Sequence, residues 1–179
     1  MRGATMTTNH HTAIATGAAA QAGVINSPLA ELDAAITKFY GKPAFSVHKN
    51  GTNQSVASVT TTLITWSTEV IDTDGDFASN VFTPSSAGAY LLFFRCELTA
   101  TVDQTRLIAS IRKNGSEIAR YINRGSGTLF ISSLVTALVE ANGSTDYFET
   151  YVNQDSGSSQ NVDGNSGRTI FQGFKLYGT

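Results

Sequence analysis

The chain has a single cysteine among 179 residues, so no disulfide within it can staple the fold, and a chain of this length can bury a core without one. Cys96 sits in the apolar run YLLFFRCEL, the setting of an inert, buried thiol. Charged side chains are 15% of the residues and sum to a net charge of -2. Lys and Arg stand singly, which leaves no basic face to neutralise a row of phosphates and argues against a nucleic-acid partner. No apolar run approaches the roughly 18 residues of a membrane-spanning helix, so membrane insertion is not expected. The first residues, MRGATMTTNHHTAIATGAAAQAG, lack the compact apolar stretch of a secretory signal, and no cleaved leader is expected. There is also no G-x-S-x-G elbow, no H-E-x-x-H and no phosphate-cradling glycine loop, and the expectation is a protein that is not an enzyme. Carboxylates converging from separate loops for sugar hydrolysis would leave no such linear trace.

What the chain does have falls into three parts. Residues 1–24 are small, polar and alanine-rich, with too few large apolar groups to offset the entropy of ordering, so a flexible segment is expected. Residues 25–41 read as one short helix: Ser27 suits its cap, Pro28 its first turn, Gly41 its end, and Pro43 blocks continuation. Ile25, Leu29, Leu32, Ile36 and Phe39 are spaced 4, 3, 4, 3, the seam of a coiled coil over about two heptads. A helix this short is marginal in water and needs a surface, either on its own β-domain or on copies from neighbouring chains.

From residue 43 to 179 the pattern is short alternating segments broken by turns, with Asn-Gly pairs at 50–51, 114–115 and 142–143. Such pairs are the strongest short-range hairpin signal, and the body is expected to be an antiparallel sandwich. Alternation in YLLFFRCEL puts Tyr90, Leu92, Phe94, Cys96 and Leu98 on one face. Leu91 and Phe93 lie on the other, before it turns polar at Arg95 and Glu97. In DYFETYV, Phe148 and Val152 face one way and Tyr147 and Tyr151 the other. A lone sandwich needs one buried face per strand, so a second apolar face suggests association.

Four stretches in order, PAFSV, DTDGDFASNVFTPSSAGAYLLFF, SIRKNGSEI and TIFQGFKLY, resemble the globular head of complement component one, subcomponent q, and its tumour-necrosis-factor-like relatives. The resemblance spans about Pro43 to Tyr177. It implies a ten-stranded antiparallel jelly roll, preceded here by the short helix, that assembles as a homotrimer. The helix then becomes a three-chain neck, with Ile25, Leu29, Leu32, Ile36 and Phe39 as its seam. No Gly-x-y repeat is present, which excludes a collagen stalk in this chain. Gly173, between Phe171 and Phe174, would let an aromatic ring or a neighbouring element come close in the last strand. The N-terminal NHHTAIATGAAAQAGVINSPLAELDAAI is similar to the segment preceding the distal domains of tailed-bacteriophage fibre and appendage proteins. It implies a virion protein, assembled in a bacterial cytoplasm and joined to another virion protein through residues 1–24.

The candidate sites follow. The polar loops Arg124 to Gly127 and Asp155 to Gly167 are the expected receptor contacts, through Arg124, Ser126, Asp155, Gln160, Asn161, Asp163 and Asn165. Plain solvated connectors are the equal alternative. A glycan- or small-ligand-binding lectin would use Tyr121, Tyr147 or Tyr151 for sugar stacking, and a purely structural decoration would use none of these. Asp72, Asp74 and Asp76 alternate in DTDGD, but Gly75 comes early for a helix-loop-helix calcium loop and Phe82 stands where its Glu belongs. A solvated turn is the expectation there, calcium on the trimer axis the open alternative, and no other cofactor is expected. His10-His11 lacks a metal-binding partner nearby.

Overall fold

The computed structural model describes residues 29–33, 42–99 and 102–177. Residues 29–33 are helical, and Leu29 and Leu32 on that turn are exposed. Ile25, Ile36, Phe39 and the segment 1–24 lie outside the described residues.

The thirteen strands among the described residues fall in one compact unit, Pro43–Thr179. They are β1 (Ala44–His48), β2 (Gln54–Val56), β3 (Thr62–Leu63), β4 (Thr68–Asp72), β5 (Phe77–Ala78), β6 (Val81–Phe82), β7 (Gly88–Leu98), β8 (Arg106–Lys113), β9 (Ser116–Arg124), β10 (Ile131–Ala141), β11 (Phe148–Gln154), β12 (Gln160–Val162) and β13 (Ile170–Tyr177). They form two antiparallel sheets. A seven-stranded sheet runs β2-β12-β7-β13-β1-β4, with β10 on the other edge of β7. A six-stranded sheet runs β5-β6-β11-β8-β9, with β3 also on β11. The eight strands of four or more residues include every long apolar segment of the sequence, and the remaining five are two- or three-residue pieces.

The two sheets bury alternate residues against each other, as period-two strands must. Tyr90, Leu92, Phe94, Cys96 and Leu98 of β7 are inaccessible to solvent, as are Phe148 and Val152 of β11. Phe45 lies at the centre of the aromatic packing, stacked on Phe82 at 4.0 Å and meeting Phe171 edge-on at 4.8 Å. Gly173 makes that arrangement possible. A Cβ there would meet the Phe45 ring at 2.9 Å and Leu92 at 2.6 Å, so the close approach is that of a ring on a neighbouring strand.

The chain crosses repeatedly between sheets, and this corrects the reading of the Asn-Gly turns. Only Asn114-Gly115 closes a hairpin, joining β8 to β9 with both residues at positive φ. Asn142-Gly143 connects β10 in one sheet to β11 in the other. Asn142 works there through its side chain, whose Oδ1 accepts the amides of Ser144, Thr145 and Asp146. Asn50-Gly51 has the left-handed backbone of a tight turn, yet the strands on either side of it are not paired with each other.

The polar run after β11 was expected to be one loop. Instead Gln160–Val162 is β12, paired with β2 and touching β7, and Val162 is buried. One apolar residue in a polar stretch is too little periodic signal to mark a strand.

Candidate functional site

The side of the seven-stranded sheet that faces away from the core carries a band of apolar side chains. Strand registers align them in rows. Leu138 of β10, Leu91 of β7 and Phe174 of β13 stand opposite one another, and Ala44 of β1 completes the row. The next row holds Thr136, Phe93, Gln172, Ser46 and Ile71, and the one after it Leu134, Arg95, Ile170, His48 and Thr68. Leu138 is 66% exposed, Leu134 54% and Phe174 41%. Phe93 and Phe174 stack on each other across two strands. Isolated surface hydrophobics are common, but an aligned set on one flat sheet face is the composition of an interface core.

One half of this face is ionic. Arg168, just before β13, donates to Glu97 Oε1 at 2.8 Å and to Asp163 Oδ2 at 3.1 Å. Its guanidinium also lies 5.1 Å from the centre of the Phe130 ring. Arg95 reaches Glu97 from the other side at 3.9 Å. Glu97 itself is buried. The change from apolar to charged along β7 falls where the alternation of its sequence put it, at Arg95 and Glu97.

The chain enters the sandwich at the apolar end of this face. Lys175 N donates to Pro43 O, and Ala44 pairs with Phe174. At the opposite pole lie the turns that precede β8 and follow β9 and β11. They are tied together: Gln104 N donates to Gly125 O, Gly127 N to Asp103 Oδ1, Arg106 N to Asp155 Oδ1, and Gly157 N to Ser58 Oγ. Val59 there is 74% exposed at φ 53, a left-handed backbone that a β-branched residue rarely adopts.

The residues singled out as receptor contacts divide in two. Arg124 and Ser126 are exposed at this pole, and Arg124 donates to Gln104 O. Asp155 is engaged instead by the amide of Arg106 and, at 3.3 Å, by its guanidinium. Gln160 donates to Ser156 and Ser158, and Asp163 and Asn165 accept backbone amides of their own turn. Asn161 is exposed in β12. This segment holds itself together more than it offers groups to a partner.

The tyrosines do not converge. Tyr121 is exposed on edge strand β9. Tyr147 and Tyr151 face outward from the six-stranded sheet, and one face of the Tyr151 ring is taken by the Arg112 guanidinium, 4.2 Å from its centre. Burial, and then the neighbouring Glu149, raise the Tyr151 phenol above its ordinary value.

The aspartates of the DTDGD turn are structural, which corrects the expectation of a merely solvated turn. Asp72 accepts the amides of Asp76 and Phe77, buried Asp76 accepts the amide of Ser85, and Asp74 is exposed. Among the described residues no three His, Cys, Asp or Glu side chains gather as metal ligands.

Lys49 escaped the sequence reading. It is 1% exposed, and its ammonium donates to Gln54 Oε1 at 2.9 Å and Thr65 O at 2.8 Å with no carboxylate partner, so burial lowers its pKa to about 8. Burial pushes the Cys96 thiol well up, which makes it inert.

No protein-family model matches this sequence. No curated protein matches it either. Solved structures do. The globular domain of zebrafish complement 1qA is 17% identical over 77% of this chain and 100% of that one, with a TM-score of 0.54. Murine APRIL at pH 5.0 is 12% identical over 75% of this chain and 99% of that one, with a TM-score of 0.57. The chain has the complement-q and tumour-necrosis-factor-like jelly-roll fold. At these identities the likeness establishes the fold alone. Among the described residues no helix is long and apolar enough to cross a membrane.

Proposed function

We propose that the chain is a non-enzymatic assembly protein that forms a homotrimer through the outward face of its seven-stranded sheet. The observation that carries this is the aligned outward row of exposed Leu138, half-buried Leu91 and exposed Phe174 beside the Phe93–Phe174 stack. A three-fold ring needs two different surfaces per copy, one to receive and one to insert. The face is one. The edge strand β9, tied to β10 through Asn123 and Ser133 but with Ile118, Tyr121 and Ile122 exposed, supplies the other. The resemblance of the sequence to trimeric heads, and the heptad seam at 25–41, support the same reading.

The biological setting proposed is the head of a bacteriophage fibre, spike or appendage, anchored by residues 1–24, with the neck at 25–41 and the head at 43–179. The sequence similarity of the N-terminal segment supports this. The chain enters the head at one pole, which leaves the opposite pole, with Arg124 and Ser126, for a host-surface glycan or protein. Three weak contacts acting together would give useful avidity.

Light scattering of the full chain tests the assembly: a mass about three times the 19.0 kDa monomer is expected, and a monomer over a wide concentration range overturns it. Removing residues 1–41 then separates a trimer held by its heads from one held by the neck. Binding of the purified trimer to host cells, weakened by Arg124→Glu, tests the attachment role. Saturable binding on a glycan array that Tyr121→Ala abolishes would favour the lectin reading instead, and silence in both assays a purely structural decoration.

A further inference from the structure

We propose that the ionic half of the association face is an acid-operated release, which rests on the reading that this face joins copies of the chain. The cluster is Arg95, Glu97, Asp163 and Arg168, two cations and two carboxylates whose charges cancel at neutral pH. Glu97 is its centre: it is buried and takes a 2.8 Å bond from Arg168, while Arg95 approaches its other oxygen. Covering this half with a second copy removes water from all four groups, at a smaller cost while each charge has a partner than it would be for the same charges unpaired.

Protonating the carboxylates breaks that balance, since the two guanidiniums cannot lose their charge. Uncompensated cations then have to be buried at the interface, so separation of the copies becomes favourable. Other groups around Glu97 do not restore the balance. Across β10 the register partners of Glu97 and Arg95 are Ser132 and Leu134, which do not ionise. From β13 comes Ile170, and beyond it His48 of β1, which can only add positive charge in acid. Cys96 faces the core. The apolar half of the face has no titratable group in its Leu138, Leu91, Phe174 row, and Glu140, one row further on, accepts the Tyr177 hydroxyl and has no cation beside it in that row.

The test is the mass of the full chain by light scattering from pH 7.5 to pH 3.5, with far-UV circular dichroism on the same samples. The wild type is expected to weaken at least about tenfold in association between pH 7.5 and pH 3.5 while its sheet signal persists. Glu97→Gln, which leaves Arg168 short of a partner from the start, is expected to associate more weakly at pH 7.5. Replacing all four groups, by Arg95→Met, Glu97→Met, Asp163→Asn and Arg168→Met, leaves no charge in the cluster, and this variant is expected to stay assembled to a lower pH than the wild type. A wild type assembled at pH 7.5 whose mass does not change with pH overturns the proposal. So does dissociation of the fourfold variant at the wild-type pH, or loss of mass only together with the sheet signal. A monomer already at pH 7.5 overturns the association reading, and the proposal with it.

Discussion

The rings of Phe93 and Phe174 stack 6.2 Å apart, inclined by 26°, across the adjacent strands β7 and β13 on the side of the sheet that faces away from the core. Their immediate sequence neighbours Phe94 and Gly173 point inward and are buried. One residue of offset therefore separates a side chain that holds the head together from one free to hold heads to each other.

That offset gives the first expected outcome. Phe174→Asp and Leu138→Asp should each raise the trimer dissociation constant by two orders of magnitude or more, about 3 kcal/mol, because a charge replaces an apolar contact at the centre of the interface. The monomer should keep its circular dichroism and its melting transition. Phe171→Asp, on the core side, should abolish folding itself.

Gly173→Ala should cost about 1 to 3 kcal/mol in urea unfolding, because its Cβ would overlap Leu92, the Phe45 ring and the Leu91 carbonyl oxygen. Adding Phe45→Leu, which withdraws the ring, should recover part of the loss.

Stability should rise with pH from about 8 to about 10. The folded pKa of Lys49 is lowered to about 8 from 10.5, so in this window the unfolded chain holds a proton that the folded one has released, and the slope is positive, up to roughly 1 kcal/mol per pH unit. Tyr90 works the other way higher up. Burial, and then Asp76, raise its pKa to about 12, so the stability it contributes below pH 10 is lost as pH climbs toward 12. Urea melts should show a maximum near pH 10, and Lys49→Met should flatten the rising limb.

Asp146 should matter in acid. Its carboxylate is held below its ordinary value by hydrogen bonds from Asn114 and Lys113 and from the amide of Asn142, and the contribution of such a group is present above the unfolded value and lost as pH falls through the folded one. Asp146→Ala should lower the melting temperature at pH 7 by several degrees and leave a smaller further loss between pH 5 and pH 3 than in the wild type.

The inward set on β7 and the strands β10 and β11 were legible because a sheet buried on one side imposes alternation. The outward row was half legible. Leu91 and Phe93 break the alternation of β7, but Leu138 and Phe174 acquire meaning only from register, which sets them beside Leu91 across two strand pairs far apart in sequence. Lys49 was unreadable for a related reason: its partners Gln54 and Thr65 are ordinary polar residues, and nothing in their types announces a buried ammonium. The aspartates of the DTDGD turn were read as solvated because a carboxylate accepting backbone amides and one facing water carry the same letter. β12 was invisible because three residues hold no period.

The pairing of β1 with β13 has a consequence for synthesis. β4 covers one edge of β1 early, but the other edge waits for β13, so on the ribosome β1 stays half-paired until Ile170–Tyr177 has left the exit tunnel. Contacts of such long sequence separation form slowly and leave apolar strands open meanwhile. A chain truncated before Thr169 should aggregate rather than fold, which makes the synthesis of β13 the checkpoint for a head fit to assemble.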